Sequence, residues 1–382
     1  MGEEKQGMKK DHDGMFWTTV TVAFVLLVHN GREPIFLIAL ALLPILALLF
    51  LRKPNLLAIV IYLLIVGALG RYTRYYRETY ASDTLLAIRD HIGYFLAGKN
   101  VYDQVVMAQA GPTPFTYLPF SLFWYLPARL LTLDLRFFEM VISMAVAPLV
   151  FVYGRILRTW KHLPVVAVVA FTPFLLDLSA DGSNDNSAIF LLLVALVLLV
   201  QSVRTRGARW AIGSAVFMGL AFSFKHYLAF FALFFIPFLW KAKQFLPIAH
   251  KKYLFYTALT VGVVSLPFIL ASPAGFFRSL FFIEIGNFHT VWGWNIWVAL
   301  RDGLGIIASR REMWMVRTFA TGVVALGLLK FFKLHNVGRV LIASGITMFV
   351  YLMTSDWTTY AYFTFLVPLI GLGALSEGGE KS

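Results

Sequence analysis

Asp83 and Asp90 lie seven residues apart in a stretch that reads as a short helix, with Ser82 or Asp83 as the N-terminal cap and Gly98 as the stop. That spacing puts both carboxylates on one helical face. A carboxylate at a membrane surface is ionised at neutral pH and can take a proton from a hydroxyl, so either is a candidate general base. The plainer reading makes Asp83 only a cap and gives Asp90 a neighbouring arginine. A second polar group, Ser179-Ala180-Asp181-Gly182-Ser183-Asn184-Asp185-Asn186-Ser187, runs straight into an apolar helix. Its plain reading is a turn followed by a helix cap. Lys225 and His226 sit between two apolar runs, which is expensive unless they meet water or a partner, or unless the lysine snorkels to the interface. Further on, Glu284, Asn287 and His289 accompany Trp292, Trp294 and Trp297, and aromatics this dense at a bilayer edge read first as anchors.

The elements that must position these groups are helices in lipid. Of 382 residues, 59% are hydrophobic and 14% charged, a balance too apolar for a soluble domain. Continuous apolar runs recur from residue 15 to residue 375, and because lipid offers no partner to bare backbone, they must span as helices rather than as strands. The expectation is an all-α polytopic bundle of about 11–13 spans, with a surface helix in a first large external loop over residues 71–115. Residues 1–14 form a cytoplasmic or interfacial tail, 15–375 a single membrane domain, and 376–382 a polar C-terminal tail.

The formal charge of +13 comes from Lys and Arg in short loops, so it reads as the positive-inside bias and not as nucleic-acid binding. Placing the basic loops in the cytoplasm puts residues 71–115, 177–186, Lys225-His226 and 354–357 together on the outer face. One conflict remains between residues 115 and 177, where three runs join two loops assigned to the same side. Either 116–131, interrupted by Pro119 and Pro127, or 163–178 must fail to span. Cysteine is absent, which removes thiol chemistry and zinc-thiolate sites.

Residues 83–103, with Gly98, Asn100-Val101-Tyr102-Asp103 and then Tyr117-Leu118-Pro119, resemble the first external loop of polyprenyl-phosphate-sugar-dependent glycosyltransferases of the membrane GT-C class, most closely glycosyltransferase family 87. The resemblance implies a GT-C-like fold with Asp83, ahead of Asp90, as the catalytic base. Loop 179–187 is similar to the family's Gly-Gln-Val-Asn element and to an element of oligosaccharyltransferase catalytic subunits. With Ser187 where the latter has an acidic metal ligand, hydroxyl recognition by Asn184, Asp185 and Asn186 is expected, with no metal and no cofactor. The family's lysine implies a contact from Lys225, with His226, to the phosphate of a lipid donor. Residues 353–360 are similar to its Ser-Pro-x-Ser-Trp element, so Trp357 could stack on a sugar or join the aromatic belt, and Tyr117 joins the substrate contacts. What this resemblance implies is an inverting transfer of a sugar, mannose in the family, from a polyprenyl-phosphate donor to a lipid or glycan acceptor, by a multi-pass cell-membrane enzyme in contact with membrane lipids and working at the extracytoplasmic face. A polytopic transporter or lipid flippase is the alternative.

Overall fold

The computed structural model describes residues 2–31, 33–51, 53–108, 111–241, 245–280, 291–358 and 360–376. Its helices are, in order, α1 (Gly2–His29), α2 (Pro34–Leu49), α3 (Leu56–Arg77), α4 (Thr84–Leu96), α5 (Phe120–Leu130) and α6 (Leu135–Ile156). There follow α7 (Leu163–Phe171), α8 (Pro173–Asp177), α9 (Asp185–Thr205), α10 (Ala208–Phe222), α11 (Ala229–Lys241) and α12 (His250–Ala271). The last are α13 (Pro273–Leu280), α14 (Ile296–Leu304), α15 (Arg310–Phe331), α16 (Val337–Met353), α17 (Tyr360–Phe363) and α18 (Leu366–Ser376). A hairpin of β1 (Val105–Ala108) and β2 (Gly111–Pro114) follows α4, and the two-residue strands β3 (Trp292–Gly293) and β4 (Trp357–Thr358) pair in parallel.

The chain is an all-α, multi-pass membrane protein. Among the described residues five helices, α3, α6, α9, α12 and α15, are long and apolar enough to cross a bilayer, and α2, α10, α11, α16 and residues 13–29 of α1 are shorter apolar helices. Helix α9 is central, packed between α6 and α10, whereas α12 and α15 lie at the periphery. Phe319, Val323, Leu326 and Phe331 of α15 are all exposed, which is stable only where lipid covers them.

The conflict between residues 115 and 177 resolves at α5. Eleven residues make a helix of roughly 16 Å against a hydrocarbon core of about 30 Å. Its first backbone N–H, on Phe120, donates to the Ser223 carbonyl at 3.0 Å, and four residues beyond its end Asp134 already accepts from the Tyr80 hydroxyl at 2.7 Å. Both ends of α5 therefore stay at one end of the bundle. Helix α6 crosses, and the broken pair α7–α8 returns, from His162 packed on Gly154 to Asp177 beside Arg74.

The break between α7 and α8, set by Thr172-Pro173, frees carbonyls inside the bundle. Arg71 of α3, 2% exposed, fills that need. Its guanidinium donates to the carbonyls of Val169 at 2.7 Å and Ala170 at 3.0 Å, to Gly67 at 3.1 Å and to Ser143 Oγ at 2.8 Å.

Residues 2–14, expected as an N-terminal tail, are helical and run on into the rest of α1. One local expectation changes. At α4, Gly98 does end the helix in the left-handed region with φ 72°, but Asp83 makes no capping bond, and the Thr84 N–H donates instead to Ser82 Oγ at 3.3 Å.

Candidate functional site

The loop before α9 is clamped onto the start of α4. The Asp181 carbonyl accepts from the N–H groups of Ala81 at 2.8 Å and Ser82 at 2.7 Å, and the Gly182 carbonyl accepts from Leu85 at 2.9 Å. Gly182 has φ 94°, and a Cβ there would lie 2.5 Å from the Ser82 carbonyl oxygen, so only glycine permits this approach. The Asp181 carboxylate turns the loop by accepting from the Ser183 N–H at 2.8 Å, and Asn186 Nδ2 donates to the Leu178 carbonyl at 3.0 Å. Asn184 is fully buried, and neither of its side-chain polar atoms has a hydrogen-bond partner among the described residues.

Asp185 opens α9 almost fully buried. It accepts from Lys225 Nζ at 2.6 Å and from the Tyr227 hydroxyl. The same ammonium lies 5.1 Å from the Tyr227 ring centroid and 5.8 Å from that of Tyr362. Lys225, expected to meet a phosphate, is thus already paired with a residue expected to meet hydroxyls. Two residues further along α9, Ser187 meets Glu139 of α6, which accepts from the Tyr125 hydroxyl at 2.6 Å, the Ser187 N–H at 2.9 Å and the Ser187 hydroxyl, while Trp124 Nε1 donates to Ser187 Oγ at 2.8 Å. Sequence reasoning passed over Glu139, Tyr125 and Trp124. The signal was available, since an acidic residue inside an apolar run demands partners.

The first loop reaches this centre through Tyr117. Its hydroxyl donates to Thr84 Oγ1 at 2.9 Å, and its carbonyl accepts from the Tyr102 hydroxyl at 2.7 Å. Burial pushes the Tyr117 phenol up, and the carboxylates of Asp83 and Asp185 add to the rise. Asp83, Tyr117 and Asp185 therefore share one neighbourhood. Asp90 does not join them. It is 43% exposed and paired with Arg89 at 2.9 Å, on the side of α4 away from the buried Leu85, Ile88 and Ile92.

Beside this centre lies a cavity of about 1120 Å³. Its polar lining includes Thr116, His226, Tyr227, Arg310, Arg311, Arg317, Thr318, Thr321, Ser355, Asp356 and Tyr362, and its apolar lining includes Phe230, Leu233, Leu280, Trp314, Leu326 and Leu329. Arg317, 6% exposed, lies 3.4 Å from one Asp356 oxygen and 3.3 Å from Ser355 Oγ, with its guanidinium 5.2 Å from the Tyr351 ring centroid. Arg310 approaches the other Asp356 oxygen at 3.9 Å. Trp357 is placed by its backbone, through the pairing of β4 with β3. Trp297 is no membrane anchor, because its indole N–H is turned inward onto the Thr354 carbonyl at 2.8 Å, whereas Trp294 is 66% exposed. Glu284, Asn287 and His289 lie outside the described residues.

Residues 245–340, about a quarter of the chain, match a known family, MDM10-complementing protein 1, transmembrane domain. Over that stretch the chain is similar to this domain. The stretch holds α12 to α15, including the two peripheral helices and the three cavity arginines. No curated protein matches the chain.

This match overturns the resemblance to glycosyltransferase family 87. The family found is a different one, and no glycosyltransferase family matches. Sugar transfer from a polyprenyl-phosphate donor is therefore withdrawn as the function, and the transporter or flippase alternative gains nothing from the match. The short elements behind the resemblance have local explanations: Asp181 and Asn186 build a turn, Asp185 balances Lys225, and Ser187 is held by Glu139. Removing the sugar also removes the reaction in which Asp83 was to serve as base.

Proposed function

We propose that the protein binds a lipid with an anionic headgroup in the cavity between α11, α15 and α16. The observation that carries this reading is the division of one cavity wall into three guanidinium groups at one part and an apolar slot at the other. Arginine suits phosphate or carboxylate oxygens through its fork of donors. The slot suits hydrocarbon, and its residues Leu233 and Leu326 are themselves 40% and 68% exposed on the side that lipid covers. An acyl chain in the slot would be continuous with the bilayer. At about 1120 Å³ the cavity exceeds the usual range of roughly 300–1,000 Å³ for small-molecule sites, as a lipid requires.

The test is lipid retention by the purified full-length chain in detergent, read by native mass spectrometry after equilibration with phosphatidylglycerol and phosphatidylcholine of equal chain length. Phosphatidylglycerol should be retained preferentially. Arg317→Ala should lower its retention about tenfold or more, the loss expected when a buried charge-assisted contact is removed. Equal retention of both lipids by the parent protein, or an unchanged preference in Arg317→Ala, would sink the reading.

A further inference from the structure

Resting on that reading, we infer that the cavity takes an ester-linked glycerolipid, and that Thr321 reads the ester by donating its hydroxyl to an acyl carbonyl. The wall that α15 contributes changes character along its length. From Arg317 it passes to Thr321 and Gly322, then to Ala325, Leu326 and Leu329, so a polar end gives way to an apolar one over about 18 Å of helix. Thr321 stands at the change. Its hydroxyl oxygen is shielded from water and has no hydrogen-bond partner, a costly state where no solvent can supply one.

A threonine inside a helix ordinarily satisfies itself by donating to the carbonyl four residues back. Thr19, Thr73 and Thr260 do so, at 2.7 Å, 2.8 Å and 2.9 Å. Thr321 does not, although the Arg317 carbonyl holds that place in α15. Threonine keeps two χ1 settings in a helix, so a rotation presents the hydroxyl to whatever occupies the cavity. The depth of Thr321 names the acceptor. It lies one turn beyond Arg317, about 6 Å along the axis, and in a glycerolipid the acyl carbonyls lie a few bonds from the headgroup phosphate, where the hydrocarbon begins. Beside it Gly322 also lines the cavity, and a Cβ there would meet nothing within 4 Å, so the wall leaves room where two acyl chains part from the glycerol. An ester carbonyl accepts the Thr321 hydrogen bond, whereas an ether-linked chain brings no carbonyl and leaves the donor unpaired. Thr321 is therefore a specificity-determining residue, and it reads the linkage rather than the charge.

The experiment compares retention of three lipids of equal chain length by the purified full-length chain, read by native mass spectrometry: diacyl phosphatidylglycerol, its dialkyl ether analogue, and diacyl phosphatidylcholine. The diester should be retained about three- to tenfold more than the diether, the ratio expected of one hydrogen bond to an otherwise unpaired donor. Thr321→Val, which keeps the shape and removes the donor, should abolish that ratio, and Thr321→Ser should keep it. The ratio of phosphatidylglycerol to phosphatidylcholine should be the same in all three proteins. Equal retention of diester and diether by the parent overturns the ester inference, and so does an ester preference that survives in Thr321→Val. A Thr321→Val protein that loses the headgroup ratio as well overturns it too, since the residue then supports the cavity and does not read the linkage. Each of these results leaves the anionic-lipid reading standing as long as the parent retains phosphatidylglycerol above phosphatidylcholine. Equal retention of those two by the parent overturns that reading, whatever the linkage comparison gives.

Discussion

A lysine ammonium buried between apolar helices needs an anion, and Asp185 is that anion. Taking away one partner of such a pair strands the other charge, at a cost of about 3–5 kcal/mol. Lys225→Met should therefore lower the thermal unfolding temperature of the purified protein in detergent sharply, and adding Asp185→Asn should recover most of the loss. If the double variant is as unstable as the single one, the pair is not what fixes the start of α9 to the turn between α10 and α11. The sequence shows that Lys225 must have a partner, because a charge in an apolar run is costly whatever the fold. It does not show which partner, since Asp185 is 40 residues away and the choice depends on how two helix ends meet. Arg317 follows the same rule: as a charge at the edge of an apolar run it calls for a partner, but Asp356, 39 residues away, is not legible as that partner until the two helices are seen to border one cavity.

At the scale of elements, the loop of residues 178–187 and the first turn of α4 act as one unit, and Gly182 is where they touch. Gly182→Ala places a Cβ against the Ser82 carbonyl and the Tyr80 ring while forcing an L side chain into the left-handed region. Strain of that kind costs about 1–3 kcal/mol, before the contacts are counted. The expected result is lower thermal stability together with faster backbone amide exchange at Ala81, Ser82 and Leu85, whose N–H groups depend on this loop. Unchanged exchange at these three amides would show that the clamp does not hold α4. The long helices and α4 were legible because each rests on a local rule, a continuous apolar run or a glycine stop. The failure of α5 to span was not decided by Pro119 and Pro127, because prolines occur inside true spans too, as Pro148 in α6 and Pro267 in α12 show. What decides it is where α5 begins and ends, and that follows from Ser223 and Asp134, far apart in the chain.

In the molecule as a whole, Arg71 has a consequence for the order in which the protein is made. Its acceptors on Val169 and Ala170 lie 98 and 99 residues further along. At a synthesis rate of roughly 5–20 residues per second, α3 precedes them into the membrane by about 5–20 s. During that interval an arginine sits in a lipid-facing helix without the carbonyls that later satisfy it, a burden of about 2.5–3.5 kcal/mol if the residue lies deep. A nascent chain ending at residue 160 should accordingly leave α3 incompletely inserted, while the full chain inserts it, and Arg71→Leu should abolish the difference. Glycosylation mapping of both chain lengths in microsomes reads this directly, and equal insertion of the short and full parental chains would count against it. Helix α7 then has a role in biogenesis apart from packing: its broken end is the receptor that retains an earlier span, so the newly made protein commits to its membrane topology only once the seventh helix has emerged.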